Sequence, residues 1–95
     1  MHKIGLSFQS PLSADEVRAK YIRPLSATIS EAGAGIYANY LRQVDPDDIQ
    51  PTEHLLIFEA HDFKQALRLL RVQIEKIGLP EGVQFQNLNP SSPGY

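Results

Sequence analysis

The chain has no cysteine and no tryptophan, and none of its apolar runs is long. Without cysteine it can form neither a disulfide framework nor a thiolate zinc site, so the reducing cytoplasm is the expected location. Its apolar runs stay well below the ~18 residues of a membrane span, and the first residues alternate like a strand, unlike the continuous apolar core of a signal peptide. The sequence therefore predicts a protein that does not enter a membrane.

A strong charge of either sign is also missing. The formal net charge is −2 and the sequence pI is near 5.8, which gives no overall field that would attract a phosphate backbone. The glycines form neither a Walker loop nor a dinucleotide fingerprint, and no serine lies in a Gly-x-Ser-x-Gly turn. We therefore predict no nucleic-acid partner and no cofactor.

The residues that are present suffice for one small domain. A chain of 95 residues has no room for a second core, and a hydrophobic fraction of 42% is typical of a packed one. The last seven residues include two prolines, two serines and a glycine. We therefore predict a single domain over residues 1–88 and a flexible tail over 89–95.

Four short segments have the pattern of β-strands. Residues 3–9 and 83–86 alternate between apolar and polar side chains, and residues 36–44 are rich in tyrosine and branched side chains. Residues 55–58 are apolar on both faces. The third strand is therefore expected either to be covered on both sides or to pack its second face against a partner.

Two helices are predicted from capping residues and apolar stripes. The first begins at Ser13, which forms a capping box with a glutamate three residues later, and the second is capped by Asp62. Pro24 interrupts the first helix, because proline lacks a backbone N–H and its ring collides with the carbonyl four residues earlier. We expect a kink there, or two short helices that meet near Arg23.

The order of these elements is βαββαβ. Right-handed crossovers in each half place both helices on one face of a four-stranded antiparallel sheet. The predicted fold class is therefore α+β with a ferredoxin-like arrangement. This arrangement supports many unrelated functions, so it does not by itself indicate one.

The outward faces of the second helix carry most of the residues that we predict to contact a partner. Leu69 and Val72 point away from its apolar stripe, while Arg68 and Arg71 share another face, with Glu75 as the expected ion-pair partner of Arg71. The loop after the second strand is acidic and offers a second docking patch. Solvated surfaces are the plainer interpretation of both charge groups. The predicted partner-binding residues are Arg68, Leu69, Arg71, Val72, Asp47 and Asp48.

Arg18 falls within the apolar stripe of the first helix when residues are placed at 100° intervals. It is either a ligand-binding clamp for an anion or carboxylate, or an arginine whose stem covers apolar surface while its charge reaches water. The sequence leaves both alternatives open.

The three histidines offer little chemistry in this pattern. His54 and His61 bracket the third strand and project to opposite faces, so they cannot share a metal ion. The acidic loop lacks the spacing and central glycine of a calcium-binding loop, so we predict no metal site. His61 beside Asp62 has the composition of a base and its orienting carboxylate, although capping a helix is a sufficient role for Asp62.

Two segments resemble known families. Ala32-Gly33-Ala34-Gly35-Ile36 looks like the helix-to-strand turn of ACT regulatory domains, a resemblance that implies amino-acid binding at an interface. The stretch 62–85, a capped helix followed by Gly78-Leu79-Pro80 and a strand, resembles small bacterial βαββαβ proteins, some of which act as immunity partners of toxins.

These observations favour a non-enzymatic protein-interaction module, of the inhibitor or immunity type, that binds another protein or a second copy of itself. The alternative is a small-ligand-binding regulatory domain that acts as a homodimer. A third possibility is a small enzyme that uses His61. An outward apolar surface on the second helix and the two-faced third strand are the grounds for the first interpretation.

Overall fold

The computed structural model describes residues 2–44, 47 and 52–88. Within these ranges the strands and helices follow the predicted order, and the first helical region is divided into three parts. The elements are β1 (His2–Gln9), α1 (Ala14–Val17), a π-helical segment (Arg18–Ile22), α2 (Arg23–Glu31), β2 (Gly35–Gln43), β3 (Glu53–Ala60), α3 (Phe63–Ile77) and β4 (Glu81–Asn87).

The strands form one antiparallel sheet in the order β2-β3-β1-β4. The two central strands are β1 and β3, whose register places Ile4 opposite Phe58 and Leu6 opposite Leu56. β2 and β4 are the edge strands. The predicted ferredoxin-like α+β fold is thereby confirmed.

The two faces of the sheet differ in what covers them. Alternate residues of the central strands face the helices and are buried, including Ile4, Leu6 and Phe8 of β1. We call the opposite side, which no helix within the described ranges covers, the open face. On the helical side, the core joins the sheet to α1, the π-helical segment, α2 and α3. The largest fully buried core side chains are Phe8, Phe58, Ile4, Leu6, Leu25, Ile29, Leu56, Leu70, Ile74, His54 and Val17.

The first helical region begins and breaks where the sequence predicts. Ser13 and Glu16 form the capping box, with Ser13 Oγ accepting from the Glu16 amide and the Glu16 carboxylate accepting from the Ser13 amide. The amide of Arg23 donates to the carbonyl of Arg18, which is a π-helical bond, and α2 begins at Arg23. This wider turn places Pro24 in the first turn of α2, where its missing N–H removes no hydrogen bond.

β3 and β4 are longer than their sequence patterns indicate. β3 extends from Glu53 to Ala60, beyond the apolar residues 55–58, because it pairs with both β1 and β2 and its polar ends continue these ladders. β4 likewise continues to Asn87. The proposed tail 89–95 and most of the acidic loop lie outside the described residues. No helix in the part of the chain that the structure describes is long and apolar enough to cross a membrane.

Candidate interaction surfaces

The open face of the sheet carries a group of apolar side chains. Leu55 and Ile57 of β3 project there, and Leu41 of β2 lies directly opposite Leu55. Leu41 is 50% exposed and Ile36, farther along β2, is 52% exposed. Together with Leu88 these side chains form what we call the open-face patch, which consists of Ile36, Leu41, Leu55, Ile57 and Leu88.

Leu88 extends this patch across β1. Its amide donates to the carbonyl of Lys3 at 2.9 Å, so the chain continues the ladder beyond β4. A Cβ atom added at Gly5 would lie 2.8 Å from Cδ1 of Leu88 and 3.2 Å from Cδ1 of Leu55. The two leucines therefore converge over Gly5, and the absence of a side chain there lets the apolar surface run from β2 across the sheet.

Uncharged amides surround much of the open-face patch. The glutamines that share its face are Gln9, Gln43, Gln84 and Gln86. Gln86 Nε2 donates to Ser7 Oγ at 3.3 Å. The charged side chains that β1 and β3 place on this face are Lys3, Glu53 and Glu59, and Lys3 lies directly opposite Glu59. The surface is thus apolar in its centre and poor in net charge.

A second surface lies on the outer side of α3 and is formed by residues of that helix alone. Here a shallow groove has a volume of about 420 Å³. The guanidinium carbon of Arg71 lies 5.6 Å from the centre of the Phe85 ring, which links this flank to β4. We call this surface the α3 groove, and it is lined by Lys64, Leu67, Arg68, Arg71, Val72 and Glu75.

The structure places the predicted partner-binding residues in different surroundings. Arg68 and Arg71 are exposed and Val72 is 48% exposed, so these three share the α3 groove. The prediction that Leu69 points away from the core is wrong, because Leu69 is half-buried and packs against the core cluster. Since α2 packs beside α3, the buried face of α3 is wider than its apolar stripe.

The remaining predictions concern the two aspartates of the acidic loop and an ion pair within α3. Asp47 is exposed in a turn and is not part of the α3 groove, while Asp48 lies outside the described residues. The expected ion pair between Arg71 and Glu75 is absent from the structure of this helix, whose Arg71 instead covers Phe85. The partner-binding role of these residues stays a prediction.

Arg18 is held by side chains of its own chain. Its Nη1 lies 3.6 Å from Oδ1 of Asp15, and its guanidinium lies 5.9 Å from the centre of the Tyr40 ring. The side chain is 58% exposed. Because the π-helical segment begins at Arg18, a constant 100° interval does not describe this helix beyond that residue. Ligand binding by Arg18 stays a prediction.

Tyr40, whose ring lies beneath Arg18, belongs to a buried polar cluster. His54 is fully buried, its Nε2 lies 3.0 Å from the carbonyl oxygen of Ser10, and its Nδ1 lies 2.7 Å from the Tyr40 hydroxyl. A carbonyl can only accept, so Nε2 carries the proton, and in the neutral ring Nδ1 then accepts from the Tyr40 hydroxyl. The ring also contacts Phe8, at 5.3 Å between centres. His54 thus ties β3 to β2 and to the segment after β1.

Sequence reasoning assigned His54 no role, although one signal was present. His54, Leu56, Phe58 and Ala60 alternate along β3, which would have placed the histidine in the core layer. Its hydrogen-bond partners are 14 and 44 residues away in the chain, and no local pattern identifies such contacts.

Burial raises the pKa of the Tyr40 phenol above its ordinary value, while Arg42 and Arg18 partly oppose this shift. Burial also raises the pKa of Tyr37, again opposed by Arg18. A raised folded-state pKa means that the neutral phenol is favoured by folding. The resulting stabilisation is complete below the unfolded pKa of about 10 and is lost as pH rises through the folded value.

We therefore expect the free energy of unfolding to fall at alkaline pH, and to fall less steeply in Tyr40→Phe. Urea unfolding of both proteins at several pH values on either side of about 10 measures the two slopes. Below about pH 10, Tyr40→Phe is less stable because it loses a hydrogen bond, so the comparison concerns the slopes alone. Equal slopes would contradict the expected contribution of Tyr40.

His61 lies in the bend before α3, and Asp62 is the N-cap of that helix. His61 is exposed and its backbone amide donates to the carbonyl of Ala34 at 2.9 Å. Asp62 Oδ1 accepts from the amides of Lys64 and Gln65. The predicted capping role of Asp62 is confirmed.

The fold occurs in proteins with many unrelated functions. Family models, curated protein sequences and solved structures all give no match to this chain. The functional argument therefore depends on the chemistry of the open-face patch and the α3 groove.

Proposed function

We propose that this protein is a non-enzymatic interaction module that pairs with a second copy of itself through the open-face patch. The main support for this proposal is the contiguous apolar surface on the open face of the sheet. We also propose the cytoplasm as its location, because the chain contains no cysteine.

The pattern of β3 supports burial of its second face. An antiparallel sheet with one solvated face normally alternates between apolar and polar residues. In β3, Leu55 and Ile57 occupy the positions where polar side chains would be expected, since they alternate with the buried His54, Leu56 and Phe58. Single exposed apolar residues are common on protein surfaces, but a contiguous patch rimmed by polar groups is typical of an interaction site.

The chemistry of the rim favours a second copy as the partner. A two-fold interface brings the same surface of each subunit together, so it must complement itself. Glutamine side chains both donate and accept hydrogen bonds, so Gln43 or Gln84 can pair with the same residue type. A strongly charged partner would find little to pair with here, since opposite charges on Lys3 and Glu59 already face each other.

Packing two open faces together also agrees with ordinary sheet geometry. Sheets stack about 10 Å apart with their side chains interdigitated. The helices of both copies would remain on the outside. The interface centre would contain Leu41, Leu55 and Ile57 from each copy, with charged groups confined to its edges, as in most stable interfaces.

Leu41→Lys tests this interface, with Val72→Lys as its matched control. The two residues are 50% and 48% exposed, and Val72 lies on α3, away from the sheet. In a two-fold dimer each substitution occurs twice, so a cost of about 1.4 kcal/mol per copy weakens dimerisation about 100-fold. We expect wild type and Val72→Lys to sediment as dimers, at twice the 10.6 kDa chain mass, and Leu41→Lys as a monomer.

Sedimentation equilibrium over a range of concentrations measures the dimer dissociation constants directly. Circular dichroism spectra confirm that all three proteins are folded. Wild-type protein that stays monomeric up to about 1 mM, where an association worth about 4 kcal/mol would be half complete, would overturn the proposal. Equal weakening by both substitutions would also overturn it.

A further inference from the structure

We propose that the α3 groove and the free edge of β4 together bind an extended, acidic peptide segment of another protein, which adds to the sheet as a fifth strand. This inference concerns a surface different from the open-face patch and does not depend on self-association. The α3 groove supplies the charges, and β4 supplies the backbone hydrogen bonds.

The α3 groove is positively charged and its cations are available. Lys64, Arg68 and Arg71 share this flank of the helix, with Glu75 as the one acidic residue that lines the groove. Lys64 and Arg68 are exposed and form no ion pair with other residues that the structure describes. Arg71 lies over Phe85, which positions its guanidinium above β4. A negatively charged ligand is therefore the complementary one.

Arg71, one of these cations, lies over a strand whose outer edge is unpaired among the described residues. Among the strands that the structure describes, β4 pairs only with β1. Leu88 donates to Lys3 across this pair, and alternation along an antiparallel ladder then directs the N–H and C=O of Phe85 away from β1. Edge strands of this kind accept an added strand from a partner, with main-chain hydrogen bonds supplying much of the affinity.

The helices cover the side chains of β4 only in part. Val83 and Phe85 face the helices, yet both are only half-buried, and so is Leu67 of the α3 groove. A strand that continues the sheet beyond β4 would project alternate side chains toward the flank of α3. Those side chains would cover the apolar parts of the α3 groove and bring acidic groups to its cations.

The spacing of the cations matches a strand. Lys64 and Arg68 are four residues apart, which is a rise of about 6 Å along a helix. Side chains on the same face of a strand are two residues apart, at about 6.8 Å. The expected ligand is therefore an extended peptide with acidic residues at every second position. A nucleic acid fits less well, because it could not use the strand edge and the whole chain carries a net charge of −2.

A fluorescent peptide of alternating glutamate and threonine, seven residues long like β4, is the direct probe. We expect it to bind in fluorescence anisotropy titrations at low salt, and to bind more tightly than a peptide of the same composition with its glutamates adjacent. The double variant Arg68→Glu/Arg71→Glu should weaken binding at least about tenfold. Arg23→Glu, a charge reversal at an exposed arginine of α2, is the matched control and should leave binding unchanged.

Amide hydrogen exchange separates strand addition from simple charge attraction. On peptide binding, the Phe85 amide should become protected. Absence of binding, equal binding of both peptides, an unprotected Phe85 amide, or equal loss in Arg23→Glu would each overturn the proposal. Tighter binding of a single-stranded oligonucleotide of equal charge would overturn it in favour of nucleic acid. Leu41→Lys should bind the peptide as wild type does, so failure of dimerisation and failure of this site are distinguishable.

Discussion

Gly35→Ala is expected to lower the free energy of unfolding by about 3 kcal/mol or more. A Cβ atom at this position would lie 2.1 Å from the carbonyl oxygen of Glu59 and 2.9 Å from the Cα atom of Ala60. Both atoms belong to the backbone of β3, which also pairs with β1 and cannot shift without disturbing that ladder. The start of β2 would have to separate from the sheet.

Gly33→Ala provides the matched comparison two residues earlier. At Gly33 φ is +65°, and a Cβ atom there would meet nothing within 4 Å. Alanine therefore costs only about 1–2 kcal/mol for its left-handed backbone. Urea unfolding of both variants measures the difference. If Gly35→Ala cost no more than Gly33→Ala, the close approach of β2 and β3 would not be what requires glycine at position 35.

His54→Leu should lower the free energy of unfolding by about 2–3 kcal/mol, although it puts an apolar side chain into an apolar core. The leucine leaves the carbonyl of Ser10 without the Nε2–H donor, and Ser10 is itself buried, so water cannot easily replace it. The Tyr40 hydroxyl loses its acceptor as well, but Tyr40 is only half-buried and its hydroxyl can turn to water. Most of the cost should therefore arise at Ser10.

A double-mutant cycle with Tyr40→Phe separates the two bonds. Tyr40→Phe alone should cost about 1 kcal/mol, and His54→Leu should cost less in the Tyr40→Phe background than in wild type. His54→Gln, which retains a donor amide, is the conservative control and should be less damaging than His54→Leu. A His54→Leu protein as stable as wild type would contradict the structural role of His54.

Local signals were sufficient to predict the elements of this fold. The capping residues Ser13 and Asp62 mark the helix starts because the hydrogen bonds they form lie within three residues. Pro24 marks the break before α2 for the same reason, since its effect is confined to one turn. The right-handed crossover rule then placed both helices on one face of the sheet, which depends on chirality and not on particular side chains.

The candidate surfaces were predicted less completely. The two-faced pattern of β3 pointed to Leu55 and Ile57, but Leu41 and Leu88 join them only through strand register and the gap at Gly5. Leu69 was misplaced because its burial depends on how α2 packs beside α3, which the periodicity of one helix does not contain. Arg68 was placed correctly on an exposed face, since the apolar stripe lies on the opposite side of the helix.

The position of both helices on one side of the sheet has a consequence for how strongly partners would be held. Pairing through the open face would turn the two α3 grooves outward, at separate places on one particle. A partner with two acidic segments joined by a suitable linker would then engage both sites, and its second attachment would be an intramolecular step. Avidity of this kind can exceed the affinity of a single site by about 10²–10⁴-fold. Dilution below the dimer dissociation constant would remove this avidity and leave bivalent partners with the affinity of a single site, while partners with one segment would be held as before.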